Sequence, residues 1–168
     1  MDGKYFEGSF TSFGVKPGTS VKYKIFVPEC EGEVGLVFSH DGFNLQAAEA
    51  MSSLADDGKA PPCVFIGVWP GALSATLEGG FDRGMRMDNY DIFDSAYPDF
   101  IVDELIPHLI EKYGLRISPL PDMHLVLGGS SGGISSFNIA WFRSDFFRRV
   151  YASSPSFLSM RTDGSCPR

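Results

Sequence analysis

Basic residues are the scarcer charge in this 168-residue sequence: 14 Lys and Arg stand against 21 Asp and Glu, a formal charge of −7 at pH 7. A chain of that sign repels a phosphate backbone, and no basic stripe offsets it, so a nucleic-acid partner is not expected. Long apolar runs are missing as well. None approaches the roughly 20 residues that span a bilayer, so no membrane partner is expected. The opening Met1-Asp2-Gly3-Lys4-Tyr5-Phe6 lacks the apolar stretch of a signal peptide. Cysteine is sparse: Cys30, Cys63 and Cys166 cannot all pair and show no Cys-x-x-Cys spacing. That fits reduced thiols in a cytoplasmic protein, and Cys63, inside an apolar run, reads as a packing residue. Histidine is equally rare. His40, His108 and His124 are scattered without ligand spacing, so neither a metal nor another cofactor is expected.

What the chain does have is core material. It is 43% hydrophobic, and its 15 Phe, 6 Tyr and 2 Trp exclude disorder. Length argues for one domain over residues 1–168, and no repeat, linker or low-complexity tract divides it. Residues 8–12 and 21–27 read as strands, the second alternating as Val-Lys-Tyr-Lys-Ile-Phe-Val, with a hairpin turn at Pro17-Gly18 between them. Residues 34–39, 63–68 and 124–127 are short, nearly unbroken apolar runs, as in strands buried on both faces of a parallel sheet, and residues 150–152 form a fourth apolar stretch. Helices are predicted over 46–54, over 98–113 and over 134–142. The longest of these carries Ile101, Leu105 and Leu109 beside Val102, Ile106, Ile110 and Tyr113 at three- and four-residue steps, with Gly114 as its stop. Residues 69–96 read as one long irregular stretch, and loops of that length tend to be functional. Strands alternating with helices imply an α/β domain with a mostly parallel sheet and right-handed crossovers.

The strand over 124–127 runs into Gly128-Gly129-Ser130-Ser131-Gly132-Gly133 and then a helix, the setting of a nucleophile elbow. A serine on such a turn lifts its hydroxyl above the sheet. Small residues two before and two after it let strand and helix backbones approach, and the helix N-terminus offers N–H groups to a developing oxyanion. Two frames satisfy Gly-x-Ser-x-Gly, one centred on Ser130 and one on Ser131, and spacing does not decide between them. The first places Gly133 three residues past the serine, where a side chain would crowd the strand–helix contact, so Ser130 is preferred. No Lys-Ser/Thr follows the glycines, which excludes a Walker-type phosphate loop. A dinucleotide fingerprint would follow the first strand of a sheet rather than a late one.

Residues 125–157 closely resemble the enterochelin (ferric enterobactin) esterase-like branch of the α/β-hydrolases, above all in Gly-Gly-Ser-Ser-Gly-Gly-Ile and in the run Ala140 to Val150 with its Asp145-Phe146-Phe147-Arg148-Arg149 passage. Val37-Phe38-Ser39-His40-Asp41-Gly42-Phe43 is similar to that family's oxyanion strand. Arg86-Met87-Asp88-Asn89-Tyr90-Asp91 resembles its Arg-x-x-Glu-Tyr-Asp segment, with Asn89 where Glu is usual. The resemblance implies an α/β-hydrolase-type sandwich whose remaining C-terminal strands lie beyond this sequence. It selects Ser130 as nucleophile. It implies oxyanion donors at the backbone of Ser131 and of Phe43, with Gly42 as runner-up, and a substrate border formed by Asp41, Gly42 and Arg86. In that setting Asp41 shapes the loop, and Arg86 faces either an acidic substrate group or solvent.

A hydroxyl attacks only when a base takes its proton and an acid orients the base, and in α/β-hydrolases the order is Ser, acid, His. After Ser130 the only carboxylate side chains are Asp145 and Asp163, and no histidine follows. Asp145 ends the elbow helix and Asp163 lies in a polar tail, so the resemblance implies an acid and a histidine beyond Arg168. Of the existing histidines, His40 falls nearest the expected site and reads as bonded to backbone, His108 as surface, and His124 as the far end of the elbow strand. The expected function is that of a serine esterase acting on a small carboxylic ester through an acyl-enzyme, with oligomeric state left open. Two alternatives are a non-catalytic binding or scaffold module on the same fold and a gene fragment that folds poorly alone, its sheet edge exposed.

Overall fold

The computed structural model describes residues 1–73, 83–155 and 157. Cys166 and Asp163 lie outside the described residues. Strands β1 (Gly3–Thr11) and β2 (Thr19–Pro28) form the expected hairpin, antiparallel from Gly3↔Pro28 to Thr11↔Ser20. β1 starts five residues earlier than the sequence suggests, because pairing to a ten-residue partner stabilises a segment whose own pattern is too polar to announce a strand. In β2 the alternation is real: Val21, Tyr23 and Ile25 are buried, whereas Lys22 is exposed.

Next come β3 (Gly35–His40), helix α1 (Leu45–Asp56) and β4 (Cys63–Val68), with β3 and β4 parallel. Asn44 caps α1, its side-chain oxygen accepting the Ala47 N–H at 3.0 Å. A short β5 (Ala72–Leu73) pairs with β2, and helix α2 covers Arg83–Tyr90. The stretch 69–96 is therefore not one irregular loop. Its helix was hidden because α2 has no buried apolar stripe to mark it in the sequence; its first-turn side chains aside, what it buries is Met85, Asn89 and Tyr90.

The helix expected over 98–113 exists in three joined pieces: α3 (Ala96–Asp99), a π-helical stretch (Phe100–Leu105) and α4 (Ile106–Tyr113). Pro107, at the start of α4, has no N–H to give the preceding turn and its ring crowds a carbonyl there, which accounts for the widened coil before it. Gly114, at φ 61°, ends α4. Strand β6 (His124–Gly129), helix α5 (Ser131–Phe142) and strand β7 (Arg149–Ser153) complete the described elements, after a 3₁₀ turn over Pro121–Met123.

The sheet order is β1-β2-β4-β3-β6-β7, with β4, β3, β6 and β7 mutually parallel. One face packs Phe38, Ile66, Tyr23 and Ile25 against Phe100, Ile101, Leu105 and Leu109. The other packs Val37, Phe65 and Phe26 against Ala48 of α1. β3 leads through α1 to β4 on one side, while β6 pairs with its other side. The carboxyl ends of β3 and β6 therefore flank the point where the strand order reverses, the place where open α/β sheets form crevices.

Candidate active site

A cleft of about 630 Å³ opens at that point, lined by Ser39, His40, Asp41 and Gly42 from the end of β3 and by Gly128 and Gly129 from the end of β6. The chain leaves β6 through Ser130, which has φ 53° and ψ −123°, a conformation that L-residues rarely adopt, and which is exposed. Ser131 already belongs to α5 and is fully buried. Of the two serine frames, the one centred on Ser130 thus occupies the bend. A Cβ on Gly128 would stand 2.3 Å from the Gly132 carbonyl oxygen, so only glycine fits two residues before the bend. A Cβ on Gly133 would lie 3.1 Å from Pro155 and 3.3 Å from the Gly128 oxygen, the crowding expected three residues after it. The Ser130 N–H donates to Ser153 O at 3.0 Å, which ties the turn to β7.

Opposite the turn, Asp41 and Gly42 both take positive φ, 59° and 98°. The Gly42 N–H donates to Val68 O at 3.0 Å, so the runner-up oxyanion donor is already engaged. The Phe43 N–H makes no hydrogen bond to another described residue. Its ring packs edge-on against Phe65 and Tyr5, and its backbone lies on Gly67, where a Cβ would come within 2.5 Å of the Phe43 nitrogen.

Asp41 and Arg86 meet as a fork, Nε to Oδ1 and Nη2 to Oδ2 both at 2.8 Å. The Arg86 guanidinium also lies over the Tyr90 ring at 5.3 Å, and Tyr90 Oη accepts the Asp41 N–H at 3.3 Å. The carboxylate holds the guanidinium pKa above its ordinary value. The Arg86 side chain is 21% exposed, with its guanidinium engaged by the Asp41 carboxylate. The three- and four-residue spacing in Arg86-x-x-Asn89-Tyr90 is the signal that could have placed Arg86 and Tyr90 on one helical face.

None of the three histidines bonds the elbow serine. His40 is buried, with Nδ1 at 3.3 Å from Leu127 O and 3.1 Å from Ser136 Oγ, and Nε2 at 3.0 Å from Ser135 Oγ. Burial lowers its pKa to about 4, so the ring is neutral. Sequence reasoning anticipated the backbone bond to His40 but not the two serines, which follow in α5. His124 lies between Phe146 O at 2.9 Å and Ser118 O at 2.8 Å. His108 is half-buried rather than superficial, its ring 4.7 Å from that of Phe10. Asp145 accepts two bonds of 3.1 Å from Arg143, which holds its carboxyl below the usual range. Cys63 is half-buried, its thiol pushed up to about 11. Among the described residues no cluster of His, Cys, Asp and Glu is arranged to hold a metal, and no helix is long and apolar enough to cross a membrane.

The parallel sheet, the strained serine turn and the facing loop are those of an α/β-hydrolase-type fold. Residues 15–162 match the family model described as "Putative esterase", and the chain belongs to this esterase family. No curated protein sequence matches it. It is similar in fold to the enterobactin esterase FES from Shigella flexneri, crystallised in the presence of enterobactin, at TM-score 0.72 and 20% identity over 96% of this chain and 39% of that one. It is similar also to a ferulic acid esterase, at TM-score 0.67 and 20% identity over 99% and 62%. A third likeness is to the CE1 ferulic acid esterase from Anaeromyces mucronatus, at TM-score 0.65 and 16% identity over 92% and 59%. The chain spans less than two thirds of the length of each.

Proposed function

We propose that this chain carries the nucleophile and oxyanion donors of a carboxylic ester hydrolase that works through an acyl-enzyme on Ser130. The observation that carries this reading is the Ser130 backbone, held at φ 53° on an exposed turn between strand and helix. Such strain persists only where surrounding structure over-determines it, and it aims one hydroxyl away from the sheet. In this reading Ser130 Oγ attacks the ester carbonyl, its proton passes to a base, and the alkoxide leaves as the acyl–serine bond forms. The oxyanion is met by the N–H of Ser131, at the start of α5, and the N–H of Phe43 across the cleft. Asp41 and Arg86 act together as the strut of the Phe43 loop, and Gly42 supplies its bend. The substrate is a small-molecule carboxylic ester, handled in a cytoplasmic setting without nucleic acid or membrane.

Among the described residues no histidine bonds Ser130: His40 and His124 are hydrogen-bonded elsewhere, and His108 packs on Phe10. That observation favours a second reading, a binding module that kept the elbow and does not turn esters over. Incubation with p-nitrophenyl acetate separates the two. The first reading expects little steady turnover but slow acylation of Ser130, accelerated by added imidazole as a substitute base and abolished in Ser130→Ala. Acylation that persists in Ser130→Ala and vanishes in Ser131→Ala would assign the wrong serine. No acylation in imidazole would leave the binding module standing.

A further inference from the structure

His40, which the proposed chemistry does not use, is built into the site from behind. It is the last residue of β3, directly before the Asp41-Gly42-Phe43 loop. Its ring reaches across to the two other elements that converge on the turn, with Nδ1 facing Leu127 O of β6, which can only accept, and Ser136 Oγ of α5, and Nε2 facing Ser135 Oγ of α5. The Ser136 hydroxyl donates to Gly132 O at 2.7 Å, in the first turn of α5. Because that proton is committed, Ser136 Oγ can only accept from His40, so Nδ1 carries the hydrogen. Nε2 is then bare and accepts the Ser135 hydroxyl. Every polar atom of the buried ring is satisfied in one tautomer and one orientation.

We propose that His40 is a positioning residue that fixes the separation between the two sides of the oxyanion site, through the chain His40 Nδ1–H, Ser136 Oγ, Gly132 O. The inference rests on the esterase reading for its purpose but not for its geometry. β3 and β6 are joined by sheet hydrogen bonds, and α5 meets β6 where the Gly132 backbone lies on Gly128. The hydrogen-bond chain from His40 through Ser136 to Gly132 O adds a directional link between the end of β3 and the first turn of α5. Ordinary packing by a residue of the same volume would fill the space and leave the spacing unset.

The test compares His40→Asn, which keeps a side-chain N–H near Nδ1, with His40→Leu, which keeps bulk alone, and with Ser136→Ala. Ser136→Ala places a strong helix former inside α5 and retains the fold even if His40→Leu does not. Two readouts are taken: amide hydrogen exchange at Gly42 and Gly133, whose N–H groups bond Val68 O and Ser130 O, and the rate at which an alkyl fluorophosphonate labels Ser130. The expected result is exchange at both amides at least tenfold faster, and labelling at least tenfold slower, in His40→Leu and Ser136→Ala, with His40→Asn within about threefold of the parent on both. Unchanged exchange in folded Ser136→Ala, or His40→Leu equal to His40→Asn, would overturn the proposal. Failure of the unaltered chain to label at Ser130 would instead sink the esterase reading, while amide exchange would still decide the brace.

Discussion

Ser130 and His40 take opposite positions on the same physical scale, one strained and exposed, the other relaxed and buried. The strain at Ser130 has a measurable consequence. Glycine adopts φ 53° and ψ −123° without a Cβ penalty, so Ser130→Gly is expected to stabilise the fold by about 1 kcal/mol, while Ser130→Ala, which keeps the Cβ, is not. Urea unfolding of the two variants checks this. Gly128→Ala has the reverse sign: its Cβ meets backbone, not a flexible side chain, and a loss of several kcal/mol with disruption of the turn is expected. The buried His40 ring sets a pH window. Its folded pKa, about 4, lies below the ordinary 6.5, so the unfolded chain binds the extra proton between those values. The contribution of His40 to stability is therefore expected to be complete above pH 6.5 and to fall by about 3 kcal/mol as pH drops toward 4. Tyr90, Tyr97, Asp41 and Arg86 are the ionisable neighbours of that ring. Urea midpoints between pH 4 and pH 7 should therefore show a slope that flattens in His40→Asn; equal slopes would place the acid sensitivity elsewhere.

At the scale of elements, what could be read in advance followed from local chemistry. The alternation of β2, the unbroken apolar runs of β3, β4 and β6, and the Gly-Gly-Ser-Ser-Gly-Gly turn each carry their cause in adjacent residues. Helix α2 did not, because its reason to exist is tertiary: Arg86 and Tyr90 are held by Asp41, a residue far away in the chain. The same holds for Ser135 and Ser136, which read as ordinary helix residues until His40 is placed between them. The π stretch was similarly silent, since Pro107 marks a disturbance in a helix but not its form. α2 is expected to act as a strut for the oxyanion loop. Arg86→Met, which keeps the stem over Tyr90 but loses the fork, should cost on the order of 1 kcal/mol and speed amide exchange at Gly42. Exchange unaltered at Gly42 would show that the loop holds its shape without α2.

For the molecule as a whole, the sheet places its site at one rim and its exposed apolar surface at another. Among the described strands β7 is the last in the order, and Val150 and Tyr151 on it are exposed, as are Phe137 and Trp141 on α5, which packs beside it. A terminal parallel strand with exposed apolar side chains pairs readily with other strands. The 168-residue chain is therefore expected to associate as its concentration rises, and Tyr151→Lys to shift that onset upward; light scattering over a concentration series measures it. The central claim, however, concerns one oxygen atom. Peptide mapping after exposure of the folded chain to an alkyl fluorophosphonate tests it most directly: the account predicts a single adduct on Ser130 that does not form when the chain is unfolded in urea before exposure, and an adduct on Ser131, or equal labelling of scattered serines, would contradict it.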